Sequence, residues 1–241
     1  MDQTRNASRM TPALLDELRQ FSTCVTASAI ETFGVRLCNA GFADSRIRCQ
    51  FKELPPVVGY AATARIRSAN PPMDSRGYFY YDRADWWNRI LTIPAPRIVV
   101  IEDLDDPAGL GAFVGAVHAN ILRALGCVAL VTNGSVRDVP DIRATGFQLF
   151  AANVAVSHAY AHVFDFGSPV RVGGLKISPG ELVQGDLHGV QTIPLEIADR
   201  VPAKAREILK RRKRLIDLCR SDDFSLEKLQ QVMKHEEETK V

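Results

Sequence analysis

Arg137 and Asp138 stand side by side a few residues past the apolar run Val128–Val131. A guanidinium can hold a carboxylate through two parallel hydrogen bonds, and an aspartate can ligate a hard cation. The stretch before them, Gly109 to Asp138, reads as loop, helix, strand and sharp turn. Gly109, Gly111 and Gly115 let the backbone come close to a small ligand or another element. Val114, Val117, Ile121 and Leu125 share one helical face, which predicts a helix packed on a core and stopped by Gly126. Asn133-Gly134 is read as the turn that presents the charged pair. If the free amides at the helix start point to the same place, one pocket joins an anion site, a metal ligand and a guanidinium. The plainer alternative is an ion pair at a strand end.

Other residues offer weaker chemistry. His118, His158, His162 and His188 could be bases or metal ligands. His158 and His162 are four apart, a spacing that sets two imidazoles on one helix face. No HExxH, GxSxG or Cys-His signature accompanies them, so two ordinary histidines on a partly exposed helix are the expectation. Glu102, Asp103, Asp105 and Asp106 cluster after a strand; they could bind a cation, or form a solvated turn near a helix N-terminus. Gly109, Gly111 and Gly115 approach the dinucleotide fingerprint, but the spacing is one residue too long. No acidic residue after VALVT is placed for a ribose. Five scattered cysteines without a CxxC pair fit a reduced, cytoplasmic protein and no metal-thiolate site.

The elements that must position the pair follow from periodicity and breakers. Thr11-Pro12 suits a helix start, with Leu14, Leu15, Leu18 and Phe21 at helical spacing. A second helix is expected over Ala27–Phe33, ended by Gly34. Arg46–Leu54 is irregular or a short strand. Val57–Arg67 alternates as a strand with small, closely packing residues. Asn70–Tyr81 is a loop, Asp82–Leu91 a helix, and Arg97–Asp103 a buried strand. Val139–Thr145 is a short helix, and Gln148–Ala152 a strand. Closely spaced strands follow over 169–177, 181–186 and 190–193, with turns at Gly173-Gly174, Pro179-Gly180 and His188-Gly189. Helices mixed with strands, then a run of strands, imply an α/β fold: a mixed sheet or barrel with helices outside. Ala203–Cys219 is a basic helix with Ile208, Leu215, Ile216 and Leu218 as its apolar stripe. It is read as a solvated face on a packing helix rather than a nucleic-acid or membrane surface. A last helix over 222–238 begins at Ser225 and closes on a Glu-rich tail.

The 241 residues suffice for one large domain with an appendage: 11–200 as the α/β domain and 201–241 as C-terminal helices. With 46% hydrophobic residues, a net charge of +2 and a pI near 8.3, composition points to no nucleic-acid partner. No apolar run approaches the roughly 18 residues of a membrane helix. The start MDQTRNASRM is polar, without a signal-peptide apolar region.

NGSVRD after an apolar strand, preceded by a Gly-rich helix ending in ALGC, resembles the RraA-like family. That family includes the class II pyruvate aldolases that cleave 4-hydroxy-4-methyl-2-oxoglutarate and 4-carboxy-4-hydroxy-2-oxoadipate. GGLKISPGELVQGDLHGVQTIP is similar to its closing strands. The likeness covers roughly residues 20–200, while Ala27–Gly41, DRADWW and SHAYAH mark a less characterised branch. The resemblance implies an α/β/β sandwich around a small central sheet or barrel. It implies homotrimers or homohexamers with sites between subunits, and a Mg²⁺- or Mn²⁺-dependent carbon–carbon lyase. That enzyme would act on a small 2-oxo acid by retro-aldol cleavage or decarboxylation and release pyruvate. Arg137 would bind the pyruvyl carboxylate and carbonyl, and Asp138 would ligate the metal. The amides of Gly115 and Val117 would hold the carboxylate. Between them the family carries Glu or Asp where this chain has Ala116, so weaker metal binding and lower activity are expected. Glu102, Asp103 or a neighbouring subunit's Glu207 could compensate. A non-catalytic regulator, or protein-binding trimer, using the basic helix as a contact surface is the alternative.

Overall fold

The computed structural model describes residues 10–72 and 80–238. Residues 1–9, residues 73–79 of the expected Asn70–Tyr81 loop and residues 239–241 of the tail lie outside the described residues. Helix α1 (Pro12–Leu18) starts where Thr11 Oγ1 accepts the Leu14 amide. Helix α2 (Thr23–Glu31) begins four residues earlier than expected, because Ser22 caps the Val25 amide. Strands β1 (Arg48–Cys49), β2 (Val57–Arg67) and β3 (Arg97–Asp103) follow, with α3 (Tyr80–Leu91) between the last two.

Next come β4 (Ala112–Val114), α4 (Ala116–Ala124), β5 (Cys127–Val136), α5 (Val139–Arg143) and β6 (Gln148–Val154). Five further strands close the sheets: β7 (His162–Phe166), β8 (Val170–Val172), β9 (Leu175–Ile177), β10 (Leu182–Asp186) and β11 (Gly189–Ile193). Helices α6 (Val201–Arg220) and α7 (Leu226–Glu238) end the described chain.

The main sheet runs β1-β6-β5-β3-β2-β10-β11, with β4 on β5 and β7 on β2. Its centre, β2-β3-β5-β6, is parallel, and its flanks are antiparallel. A bridge from Phe42 to Gln191 and the separate β8-β9 hairpin bring the sheet close to a closed barrel. Alternation along β3 makes the two-sided core visible. Ile98 and Val100 join Ala129, Val131, Phe150 and Val183 on one face. Val99 and Ile101 join Leu130, Trp86, Ile90 and Leu122 on the other. A strand buried on both faces needs near-continuous apolar sequence, which RIVVIED and CVALV provide. Small residues in β2 answer to close neighbours: a Cβ at Gly59 would lie 2.8 Å from the Pro96 carbonyl oxygen.

Three expectations change. Asn133-Gly134 is no turn: β5 runs through it to Val136, with a register shift against β6 between Thr132 and Ser135. Asn133 stands in for a strand neighbour, accepting the Asp103 amide at 2.7 Å and donating to the Asp103 carbonyl at 3.0 Å. The α4 face is also rotated. The helix starts at Ala116, so it buries His118, Ala119 and Leu122, while Val117 is 77% exposed. Val114 belongs to β4. Finally, His158 and His162 share no helix: His158 lies in a loop and His162 opens β7.

The N-terminal helices dock on the sheet through one buried carboxylate. Asp186 accepts the Thr23 amide (2.8 Å) and hydroxyl (2.7 Å), and the His188 amide (2.9 Å). Gln191 donates to the Thr23 carbonyl at 2.9 Å. Asp186→Ala strands these buried donors and is expected to cost about 3 kcal/mol, read as a lower urea midpoint at unchanged slope.

Val201 and Ala205 of α6 enter the core formed by Leu15, Leu18, Val25, Ile30 and Leu182. Arg206 pairs with Glu17, Lys204 with Glu207 and Lys213 with Asp217, and Arg212 donates to the Ser28 hydroxyl at 2.9 Å. This basic helix is a packing helix with a solvated, partly ion-paired face.

Candidate functional site

Arg137 and Asp138 lie at the C-terminal end of β5, where an α/β sheet presents ligands. The Arg137 amide donates to the Val114 carbonyl (3.1 Å), which seats the pair against the start of α4. Asp138 sits at φ 55°, ψ 37°, a left-handed conformation that aspartate tolerates better than most residues. It occupies the N-cap position of α5 but makes no side-chain cap there. Its Oδ2 turns back and accepts the Ala116 amide of α4 at 3.0 Å. Arg137 Nε lies 3.6 Å from the same oxygen, and both side chains are a little over one-third exposed. Among the described residues this is the only ionic contact of Arg137, so guanidinium donors remain for a ligand.

Gly115 makes this approach possible: a Cβ there would lie 2.6 Å from Asp138 Oδ2 and 3.0 Å from Arg137 Nε. Its glycine therefore answers to the chain's own carboxylate and guanidinium. The predicted residues Gly115, Ala116, Val117, Arg137 and Asp138 all line one cleft of about 280 Å³. Trp87, His118, His158 and Tyr160 line it as well. The first-turn amides of α4 give it the positive end of a helix, and one of them is already taken by Asp138.

The cleft's walls are held by a network that the sequence reading missed. Ser135 Oγ donates to the Gly109 carbonyl at 2.5 Å. Asp103 accepts the Gly109 and Asp105 amides at 2.8 and 3.1 Å. Asp105 accepts the Ser68 and Ala69 amides at 2.6 and 2.8 Å. The fully buried Ser68 then accepts the Gly111 amide on its hydroxyl (3.2 Å) and the Tyr160 amide on its carbonyl (3.1 Å).

Asp103 and Asp105 thus shape the loop by backbone capture, neither facing a helix N-terminus nor reaching the cleft. Glu102 accepts the Arg171 amide instead. Of the expected compensating carboxylates within this chain, none lines the cleft. Asp138 is the one acid among its described lining residues.

The two aspartates respond oppositely to pH. Burial pushes Asp103 up from the ordinary carboxylate range, against the pull of its two amides. Burial also acts upward on Asp105, but the Ser68 and Ala69 amides, the Ser68 hydroxyl and Arg67 outweigh it, so its carboxyl is held low. A depressed carboxylate contributes stability that is complete above the unfolded value, about 4, and fades as pH falls through the lower folded value. Asp105→Asn at neutral pH is expected to reproduce the acid effect, speeding hydrogen exchange at the Gly111 and Tyr160 amides about tenfold.

Against known proteins, the sequence model of the Aldolase/RraA family matches residues 11–191. The chain belongs to this RraA-like family. A Halalkalibacterium halodurans protein provisionally named 4-hydroxy-4-methyl-2-oxoglutarate aldolase is 28% identical over 97 residues, covering 40% of this chain and 46% of that protein. An uncharacterized Methanocaldococcus jannaschii protein is 26% identical over 134 residues, covering 54% and 64%. The chain thus spans about half the length of the curated relatives it matches. The RraA-like fold extends further than the sequence likeness. A solved but uncharacterized Pseudomonas syringae protein superimposes with a TM-score of 0.68 at 21% identity, over 92% of this chain and 98% of its own. Streptomyces coelicolor RraAS2, described as an unusual member of the RNase ES inhibitor RraA family, gives 0.66 at 18%, over 85% and 96%.

Proposed function

We propose that this RraA-like chain is a divalent-metal-dependent carbon–carbon lyase that acts on a small 2-oxo acid and releases pyruvate. The observation that carries it is the meeting of Arg137, Asp138 and the α4 N-terminus at one cleft. The donor set fits Mg²⁺ or Mn²⁺ with one protein carboxylate, Asp138, because such ions keep several waters and share the remaining positions with substrate. When bound, the cation supplies Lewis-acid stabilisation of charge developing on the 2-oxo group. Arg137 binds the substrate carboxylate and orients the 2-oxo end. The first-turn amides of α4 add partial positive charge beside it. Asp138 balances the guanidinium and fixes its direction.

Self-assembly belongs to the same proposal. Val117 lines the cleft, Val154 ends β6 and Val156 follows it, and they are 77%, 60% and 99% exposed. Such side chains suit burial against a second copy in a homotrimer or homohexamer, which light scattering after size exclusion would read as a mass of three or six chains.

The reading is tested by Mn²⁺ titration with and without oxalate, a planar dianion that mimics a 2-oxo acid enolate. Oxalate is expected to tighten Mn²⁺ binding, and Asp138→Asn to weaken it by about tenfold or more. Asparagine keeps the left-handed backbone accessible, so lost charge is read apart from lost fold. Binding of Mn²⁺ that ignores both oxalate and Asp138 would contradict the reading and favour a non-catalytic, protein-binding role.

A further inference from the structure

His158 lies on a loop of unusual definition. The Ser157 carbonyl accepts the Ala112 amide at 2.9 Å, the His158 carbonyl accepts the Ala161 amide at 2.9 Å, and the Tyr160 amide donates to buried Ser68 at 3.1 Å. Ala159 is held at φ 46°, a left-handed backbone for a residue other than glycine, with its amide on the Ser157 hydroxyl at 2.9 Å. Gly111 packs against it: a Cβ there would clash with the His158 carbonyl oxygen. Strained backbone held in place by its surroundings is a hallmark of functional loops. Here it places His158, itself exposed, among the residues that line the same cleft as Arg137 and Asp138.

The ring's tautomer follows from its partner. His158 Nδ1 lies 2.6 Å from the Ala159 carbonyl oxygen. A carbonyl can only accept, so Nδ1 carries the hydrogen and the neutral ring leaves Nε2 as a proton acceptor. The other imidazole of the cleft, that of His118, also sets Nδ1 on a carbonyl, that of Phe113 at 3.2 Å, but it is buried where His158 is exposed. His118 is buried edge-on against Phe113, at 4.8 Å between ring centroids, and sits in the first turn of α4. The titratable and charged groups lining the cleft with His158 are Arg137, Asp138, His118 and Tyr160.

We propose that His158 is the proton-carrying catalytic residue of this cleft, an assignment that rests on the lyase function proposed above. In retro-aldol cleavage of a 4-hydroxy-2-oxo acid, Nε2 takes the substrate hydroxyl proton. The carbon–carbon bond breaks, its electron pair passes into the 2-oxo acid half as an enolate, and the alcohol carbon leaves as a carbonyl. The imidazolium then gives its proton to the enolate carbon, which becomes the methyl group of pyruvate, and the ring returns to neutral. Decarboxylation of oxaloacetate releases CO₂ and removes no hydroxyl proton, so the neutral ring gains none to give; the enolate carbon takes its proton from water, and this reaction does not need His158.

The test uses the full chain with Mn²⁺ on 4-hydroxy-4-methyl-2-oxoglutarate and on oxaloacetate. His158→Gln is expected to lower kcat for retro-aldol cleavage about 100-fold or more, with KM changed less than about threefold. A fall of rate toward acid pH is expected in the wild type and not in His158→Gln. The ratio of aldol cleavage to decarboxylation should drop by about tenfold or more. Added imidazole should restore part of the rate in His158→Ala, which separates lost chemistry from lost fold. Retained kcat with an unchanged acid limb in His158→Gln would overturn the assignment and leave the lyase function standing. A wild type that decarboxylates but never cleaves the aldol substrate would also overturn His158 as the hydroxyl base. A wild type silent on both substrates would overturn the lyase function and the assignment together.

Discussion

Arg137→Met is expected to lower kcat/KM for pyruvate release by about 1,000-fold. Two hydrogen bonds to a carboxylate contribute about 1.5–3 kcal/mol each, and methionine removes both with little change in length. Arg137→Lys should fall between, since a point charge cannot reproduce the planar fork. The effect belongs to binding geometry more than to folding. Arg137 is a little over one-third exposed, and its side chain contacts only Asp138 ionically among the described residues. Its backbone amide, which seats β5 against Val114, is untouched by substitution. Steady-state kinetics beside a thermal melt would check both halves: a large kinetic loss with a melting temperature near that of the wild type. A loss of stability matching the loss of activity would instead make Arg137 a structural ion-pair residue.

Ala116→Glu is expected to raise pyruvate release and Mn²⁺ affinity by about 10–100-fold, the range typical of carboxylates that orient metal-bound water. Ala116 is the first residue of α4, half-buried, and its amide already holds Asp138. A glutamate there starts beside the proposed cation ligand and meets the favourable end of the helix dipole. Ala116→Gln separates the two contributions, because it keeps length and hydrogen bonding but not charge. A variant no better than the wild type would show that another carboxylate, from a second subunit, already serves the site.

Much of this was legible in the sequence where one physical signal governs one element. RIVVIED and VVGYAATARIR can only be buried strands, and their ends fall where apolar alternation ends. Arg137 and Asp138 stand out because two charges cap an apolar run. Legibility failed where a side chain replaces a backbone partner. Asn133-Gly134 has the composition of a turn, yet Asn133 bonds both backbone groups of Asp103 and keeps the strand going. Nothing local announces that, since its partner lies 30 residues away.

The α4 face is not legible from spacing, because Val114 fits the helical period yet belongs to β4, two residues before the helix starts. Ser68 carries no signal at all, since a serine after a strand is ordinary, and Asp105 stands out only as one member of an acidic cluster, which does not tell its role as a holder of backbone amides. Their role emerges only when Gly111 and Tyr160 arrive on the same serine. SHAYAH did hold a clue. Helical spacing of its two histidines conceals a left-handed alanine in the loop between β6 and β7.

The most direct test of the central claim is coupled pyruvate release from oxaloacetate with Mn²⁺, corrected for decarboxylation by free metal. The wild type, Ala116→Glu and Asp138→Asn are compared side by side. The site described here predicts metal-dependent release, raised by Ala116→Glu and abolished by Asp138→Asn. Equal release by all three, or release that survives removal of the metal, would contradict it.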